Sequence, residues 1–308
     1  MKRMKTMKLG KSDLTVSNIS LGCMRMYKLT LKEAEDVVRN ALELGITFFD
    51  HADIYGEGRS EEIFAEAVGM NPSVREKIFI QTKTGIRKGY YDFSKEHILQ
   101  SVDRSLKRLK TDYIDVLLLH RPDALVEPEE VAEAFALLKE SGKVRWFGVS
   151  NHTPMQIELL KKYVKEALIV NQLQFSVMHT NMIDAGIQMN TLFENSVDRT
   201  GYVLDYCRLH DITIQAWSPF QFGFFEGVFV DNDRFPELNA KLAEVGEKYG
   251  LTKTGAAIAW ILRHPAKIQP IVGTMNIQRL KEIAQASEVN ITREEWYAIY
   301  RAAGNRLP

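Results

Sequence analysis

Short apolar runs alternate with segments of helical periodicity along most of the chain. Between Leu31 and Leu44, apolar residues recur at the spacing of an amphipathic helix, with Thr30 placed to cap its start and Gly45 to end it. The apolar runs have the length and composition of buried strands, and there are eight when ISLGC is counted first. This alternation predicts parallel strands that are joined by helices.

The predicted elements follow one another with few breaks. A hairpin is expected around Gly10 to Asp13, between two short extended runs. The predicted strands are ISLGC, the run that opens at Ile46, Ile78–Thr82, Ile114–Leu119, VRWFGVS, LIVNQLQF, ITIQAWS and IQPIVG. The predicted helices are Leu31–Leu44, Glu61–Val68 with Ser60 as its cap, Lys95–Leu109, Pro128 to Gly142, Pro154–Val164, Tyr202–Leu209, a pair over Leu238–Leu262, Ile277–Ala286 and an outer segment Arg293–Ala302. Eight βα units predict an α/β fold, a (β/α)8 TIM barrel with an N-terminal hairpin and an extra C-terminal helix, as one domain over residues 1–308.

Composition and charge limit the partners and the cellular compartment that we expect for this protein. The 308 residues carry 40 Lys plus Arg and 40 Asp plus Glu, so charge gives no case for a nucleic-acid or membrane partner. Cys23 and Cys207 are far apart and lack metal-ligand spacing, which is typical of a reducing compartment, and we expect a cytoplasmic protein without a metal site. The opening MKRMKTMKLG has no apolar stretch behind it, so neither a signal peptide nor an anchor is expected. No sequence feature specifies an oligomeric state.

Four polar residues fall at the ends of three successive predicted strands, namely Asp50, Tyr55, Lys83 and His120. The carboxyl ends of barrel strands share one face, where such barrels keep their chemistry. A nearby lysine stabilises the phenolate of a tyrosine, whose free pKa is about 10, and so assists proton transfer. Asp50 would keep Lys83 charged and aimed, while His120 would hydrogen-bond a substrate oxygen. Each residue alone has an ordinary structural interpretation, but the four together predict a catalytic site.

These motifs resemble those of aldo-keto reductases. FFDHADIYG is similar to the strand-two signature that supplies the family's aspartate and tyrosine, QTKTG supplies its lysine and LLLHRP its histidine. The resemblance extends from LGKSDLTVS to GTMNIQRLKE, which is nearly the whole chain. It implies NAD(P)H-dependent reduction of aldehydes or ketones to alcohols, with hydride from the nicotinamide and a proton from Tyr55. The expected partner is a small-molecule carbonyl substrate.

The resemblance also implies a set of cofactor-binding residues. Ser150, Asn151 and Gln172 match residues that hydrogen-bond the nicotinamide carboxamide, and Trp217 matches an aromatic residue that stacks on the ring. The full expected set is Gly22, Cys23, Met24, Asp50, Ser150, Asn151, Gln172, Trp217, Ser218, Pro219, Phe220, Gly273, Thr274, Met275, Arg279 and Glu282.

The expected cofactor is NADPH, with NADH as the alternative, because the chain departs from the family pattern near the adenosine end. Gly273 stands where many members have a phosphate-binding lysine, and Ile283 where many have an asparagine. Arg279, in the first turn of its helix, is suited to the 2′-phosphate, and its other interpretation is a surface pair with Glu282. His51 replaces a threonine found in many members, and a local hydrogen bond is expected for it.

Two other functions remain open from the sequence. A Schiff-base aldolase would use Lys83 as its nucleophile, and a non-catalytic, nicotinamide-binding redox-sensing subunit would use the same fold. The long segments Val177–Arg199 and Pro219–Pro236 are expected at the carboxyl face, where they would set specificity. Apolar side chains there favour small aromatic or medium-chain aldehydes over charged sugars, and they are Met24, Met26, Phe220, Phe222 and Phe224.

Overall fold

The computed structural model describes residues 4–308. Its strands in chain order are β1 (Thr6–Lys8), β2 (Thr15–Ser17), β3 (Ser20–Gly22), β4 (Phe48–Asp50), β5 (Phe79–Thr84), β6 (Ile86–Arg87), β7 (Tyr90–Tyr91), β8 (Ile114–Leu119), β9 (Val144–Ser150), β10 (Leu168–Gln174), β11 (Thr213–Trp217), β12 (Gln221–Phe222), β13 (Gly227–Val228) and β14 (Gln269–Val272). Short antiparallel pairs are formed by β1 with β2, β6 with β7 and β12 with β13.

Eight strands close into a parallel barrel in the order β3, β4, β5, β8, β9, β10, β11 and β14. The register places Asp50 beside Gly22 on one neighbouring strand and beside Gln81 on the other. Because all barrel strands run the same way, their carboxyl ends form a single rim. The predicted (β/α)8 barrel and N-terminal hairpin are therefore confirmed.

The helices occupy the connections that the apolar periodicity predicts. They are α1 (Leu31–Glu43), α2 (Arg59–Val68), α3 (Pro72–Arg75), α4 (Lys95–Leu109), α5 (Pro128–Glu140), α6 (Pro154–Lys161), α7 (Asn181–Ile187), α8 (Val203–Leu209), α9 (Pro236–Tyr249), α10 (Lys253–Leu262), α11 (Ile277–Gln285) and α12 (Arg293–Ala302). Thr30 caps α1 through a reciprocal capping box with Glu33. The short helices α3 and α7 were not predicted.

The expectation that Ser60 caps α2 is wrong. The helix begins two residues earlier, at Arg59 after Gly58, whose φ of 92° starts the turn without a side-chain cap. The Ser60 hydroxyl instead accepts a hydrogen bond from the Tyr27 amide at 3.2 Å and donates to the Met24 carbonyl at 3.4 Å. Ser60 therefore fixes the loop that follows β3, which borders the site.

Apolar packing closes the amino end of the barrel and secures the last helix. Leu9 and Leu14 of the hairpin are buried against Phe48 and Val116, so the hairpin plugs the barrel base. In α12, the Trp296 ring stacks on Trp260 at 4.7 Å, which holds this helix outside the barrel wall. No helix in residues 4–308 has the length and apolar character needed to cross a membrane.

Candidate active site

Asp50, Lys83 and Tyr55 form a hydrogen-bonded cluster at the carboxyl rim. Lys83 is fully buried, and its Nζ donates to Asp50 Oδ2 at 2.8 Å and to Tyr55 Oη at 3.2 Å. A third bond, to the carbonyl of His51 at 2.8 Å, satisfies the remaining ammonium proton. Because β4 and β5 are paired neighbours, Asp50 and Lys83 are in direct contact although they are far apart in the sequence.

The charges of this cluster shift the pKa values of its members. Burial alone would lower the pKa of Lys83, but the Asp50 charge, Tyr55 and their hydrogen bonds outweigh it and raise that pKa. Burial raises the pKa of the Tyr55 hydroxyl, and the Lys83 charge opposes this without cancelling it. Tyr55 is therefore protonated at neutral pH, and Lys83 is an ammonium rather than the free amine that a Schiff-base nucleophile requires.

A chain of buried amides holds Asp50 from its other side. Asp50 Oδ1 accepts hydrogen bonds from Gln81 Nε2 at 2.6 Å and Gln172 Nε2 at 3.0 Å. Both amides also donate to Gln215 Oε1, whose Nε2 donates to Gln269 at 2.8 Å. All four glutamines lie on barrel strands, namely β5, β10, β11 and β14, and polar residues within these predicted strands were a sequence signal for a polar barrel interior. The chain satisfies the aspartate without exposing it to water.

The two histidines near the cluster are both neutral. His120 lies with its ring edge-on to Tyr55 at 6.0 Å, and burial, together with the Lys83 and Arg121 charges, lowers its pKa well below the usual value. Burial and then the Lys83 charge lower the pKa of His51 to about 3. The expected local hydrogen bond of His51 is absent, because within residues 4–308 neither ring nitrogen has a partner and the ring packs on Phe64 at 4.6 Å.

A cavity of about 740 Å³ opens above the cluster, within the usual size range of small-molecule sites. Tyr55 and His120 line it, and Lys83 lies behind Tyr55. Its wall includes fourteen of the residues expected to bind the cofactor: Gly22, Met24, Asp50, Ser150, Asn151, Gln172, Trp217, Ser218, Pro219, Phe220, Gly273, Thr274, Met275 and Arg279.

Two members of the expected set are not on this wall in the described part of the chain. Cys23 is fully buried, with its Sγ directed to the Leu21 carbonyl at 3.7 Å. Glu282 accepts a hydrogen bond from Thr252 Oγ1 at 3.3 Å. Among residues 4–308, Glu282 forms no ion pair with Arg279. The interpretation of Arg279 as a surface residue paired with Glu282 is therefore not supported.

The residues expected at the nicotinamide end are connected to one another. Ser150 Oγ donates to the Gln172 carbonyl at 2.9 Å and accepts from Asn151 Nδ2 at 2.7 Å. Asn151 Oδ1 accepts from Trp217 Nε1 at 3.1 Å, which fixes the indole on the cavity wall. Asn151 and Ser218 have left-handed backbone, with φ of 59° and 52°, and such strain is concentrated at functional sites.

The two long segments contribute unequally to the cavity. Val177–Arg199 contains α7 and, within the described residues, places no side chain on the cavity wall, so its expected role in specificity is wrong. Pro219–Pro236 does contribute, through Phe220, Phe224 and neighbours. Met26 and Phe222 are buried in the core instead, because Met26 lies inside a short 3-10 helix and Phe222 packs edge-on against Phe235 at 4.9 Å.

Sequence reasoning missed several residues of the wall, notably Arg25, Ile54, Tyr91 and Arg121. The arginines had a signal, since each stands within two residues of a predicted site residue. Arg25 Nη1 donates to the Gly273 carbonyl at 3.1 Å, across the β14–β3 contact. Among residues 4–308 no group of three or more His, Cys, Asp and Glu side chains could hold a metal ion.

Comparison with known proteins agrees with this geometry. The model of the aldo/keto reductase family matches residues 18–303. The chain is 38% identical over 304 residues to the uncharacterized oxidoreductase YcsN of Bacillus subtilis, covering 94% of this chain and 95% of that protein. It is 36% identical over 310 residues to a 6-dehydroglucose reductase of Novosphingobium aromaticivorans, covering 97% and 96% of the two chains.

A solved structure gives the same result. The aldo-keto reductase AKR11C1 from Bacillus halodurans, in its holo form, superposes with a TM-score of 0.76 at 26% identity, covering 99% of this chain and 98% of that one. The matched segment includes the buried Asp50–Lys83 pair, Tyr55 and the cavity wall from Gly22 to Arg279. The chain therefore belongs to the aldo/keto reductase family of oxidoreductases.

Proposed function

We propose that the protein reduces an aldehyde or ketone to an alcohol with NADPH as the reductant. The observation that carries this proposal is the contact between Tyr55 Oη and Lys83 Nζ, at 3.2 Å, on the wall of the cavity. It supplies one proton donor whose conjugate base is stabilised by a fixed charge, as general acid catalysis requires.

Each side chain of the cluster has its own role in the proton transfer. Tyr55 donates its hydroxyl proton to the carbonyl oxygen, and the Lys83 ammonium stabilises the phenolate left behind. Asp50 holds that ammonium in place at 2.8 Å. His120 is neutral, and its imidazole can donate one N–H to the same oxygen, which orients the carbonyl beside Tyr55.

The opposite part of the cavity suits a dinucleotide. Arg25 and Arg279 both line it near β14, and neither side chain has an acidic partner in residues 4–308, so their charge is available for phosphate groups. A Cβ at Gly273 would approach Arg25 Nη1 to 2.9 Å, so glycine leaves the guanidinium room against the backbone. Reduced nicotinamide bound in this cavity would supply the hydride.

Tyr55→Phe tests the proposal because it removes only the hydroxyl. We expect NADPH affinity, measured by fluorescence titration, to stay near wild type while carbonyl reduction, followed by NADPH absorbance, falls by roughly 100-fold or more. Tyr163→Phe, which removes a hydroxyl outside the site, should be unchanged. Full activity in Tyr55→Phe would refute the assignment.

The NADPH-binding and activity assays, together with borohydride trapping, separate the other two functions. Tight NADPH binding without turnover across a broad panel of aldehydes and ketones would indicate a non-catalytic subunit. Trapping of substrate on Lys83 by borohydride would indicate an aldolase.

A further inference from the structure

Arg121 places a positive charge on the cavity wall beside the proposed proton donor. It directly follows His120 at the end of β8 and is partly buried. Its guanidinium lies over the Trp217 ring at 5.6 Å and over the Phe224 ring at 5.8 Å. Within residues 4–308 it takes part in no ion pair and no side-chain hydrogen bond, so its five N–H donors are available to a ligand.

Two other arginines with low exposure are paired with carboxylates, whereas Arg25, like Arg121, is partly buried and lines the cavity without an acidic partner in residues 4–308. Arg75 donates to Asp115 at 2.7 Å, and Arg108 donates to Glu61 at 2.7 Å. Withdrawing a charge from water without a partner is costly, and proteins normally supply the partner themselves. Burial lowers the pKa of Arg121, and the groups that oppose this lowering are the tyrosines Tyr91 and Tyr55 rather than a carboxylate. Among the described residues, no carboxylate balances the charge of Arg121 on the cavity wall.

The cofactor phosphates are not suited to provide this counter-charge. β8 and β14 are four positions apart in the closed ring of eight strands, so their carboxyl ends lie on opposite sides of the barrel mouth. Arg25 and Arg279 lie on the β14 side, and Arg121 lies on the β8 side with Tyr55 and His120. An anion that binds Arg121 would therefore belong to the molecule whose carbonyl faces Tyr55.

We propose that Arg121 binds a carboxylate of the substrate, so that the preferred substrates are aldehydes or ketones that carry a carboxylate group. This inference rests on the proposed carbonyl reduction. A planar guanidinium matches a carboxylate through two parallel hydrogen bonds, and one arginine balances its single charge. Phe224 and Tyr91 also line the wall and suit an apolar spacer between the two groups.

A matched pair of substrates isolates the charge. 4-Carboxybenzaldehyde and its methyl ester share the ring and the reacting carbonyl, and succinic semialdehyde and butanal form a shorter pair. For at least one pair, the wild-type kcat/KM should favour the acid by roughly 10- to 100-fold, as expected of a hydrogen-bonded charge. Arg121→Met should abolish this preference, because it raises KM for the acid much more than KM for the neutral partner. Arg121→Lys, which keeps the charge but loses the fork, should retain part of the preference.

Three results would overturn the inference. Equal kcat/KM for acid and neutral partner in both wild-type pairs would remove the preference. An equal loss for acid and neutral partner in Arg121→Met would indicate a structural role. A larger preference for glyceraldehyde 3-phosphate over glyceraldehyde, also lost in Arg121→Met, would assign the residue to a phosphate instead.

A binding measurement separates this inference from the proposed function. If the wild type reduces no carbonyl compound, the proposed function fails, but calorimetry with benzoate and benzamide in the presence of NADPH still decides the role of Arg121. Benzoate binding that weakens by about 10-fold or more in Arg121→Met, with benzamide unaffected, supports a carboxylate site. Benzoate affinity that is the same in both proteins overturns it.

Discussion

Lys83→Met should destabilise the protein more than any ordinary surface change, because it leaves a buried carboxylate without its counter-charge. Asp50 and Lys83 are both buried and lie 2.8 Å apart. Without the ammonium, Asp50 keeps only the amide hydrogen bonds of Gln81 and Gln172. Breaking a buried pair by removing one partner costs about 3–5 kcal/mol, and methionine roughly preserves the volume, so the loss reflects charge rather than packing.

The double variant Asp50→Asn/Lys83→Met makes this reasoning testable. Since it removes both charges, it should be more stable than Lys83→Met alone by about 2 kcal/mol, although it remains inactive. The assay is urea unfolding followed by circular dichroism, with the m value checked for constancy.

An exposed pair provides the control for Lys83→Met. Lys95→Met breaks the Lys95–Glu133 pair, whose side chains are 42% and 62% exposed, and should cost far less stability than Lys83→Met, because solvent screens the exposed pair. The explanation fails if Lys83→Met costs no more than this control, or if the double variant loses the sum of the two single losses.

One further prediction concerns the charge of Arg279 on the cavity wall, and another concerns the buried carboxyl group of Asp53. Arg279→Ala should weaken NADPH binding much more than NADH binding in fluorescence titrations, because the guanidinium lacks an acidic partner in the described residues; a proportionate loss for both would show that it does not contact the 2′-phosphate. Burial raises the pKa of Asp53 to about 6 against the Ser101 hydrogen bond, so the folded protein retains a proton that the unfolded chain releases. The wild-type free energy of unfolding should therefore fall relative to that of Asp53→Asn between about pH 4 and pH 6, by up to about 3 kcal/mol, and parallel pH profiles would contradict this.

The barrel could be predicted because its signals are local. Each strand is a short apolar run and each helix has apolar periodicity, so the alternation can be read without knowing any long-range contact. The cluster followed from the same reasoning, since parallel strands end at one rim and Asp50, Lys83 and His120 stand at three such ends. The barrel topology brings these residues together, and the alternation of strands and helices in the sequence was enough to predict that topology.

Features that depend on side-chain packing could not be predicted in this way. The contact of Arg25 with Gly273 joins residues 248 positions apart, and no local pattern marks it. The segment Val177–Arg199 was expected at the cavity because it is long, but it folds into α7 and packs away from the site. Arg121 can be read from LLLHRP, but whether it has an ion-pair partner among residues 4–308 depends on all its neighbours in space.

The pKa values of the site correct one part of the sequence reasoning and are compatible with Tyr55 as a general acid. Lys83 was expected to favour the phenolate of Tyr55, yet burial outweighs it and the pKa of Tyr55 is raised. A general acid must hold its proton until the carbonyl oxygen develops negative charge, and Tyr55 is protonated at neutral pH. The ammonium then acts mainly on the phenolate that forms during the reaction, where a fixed charge in a buried site has its largest effect.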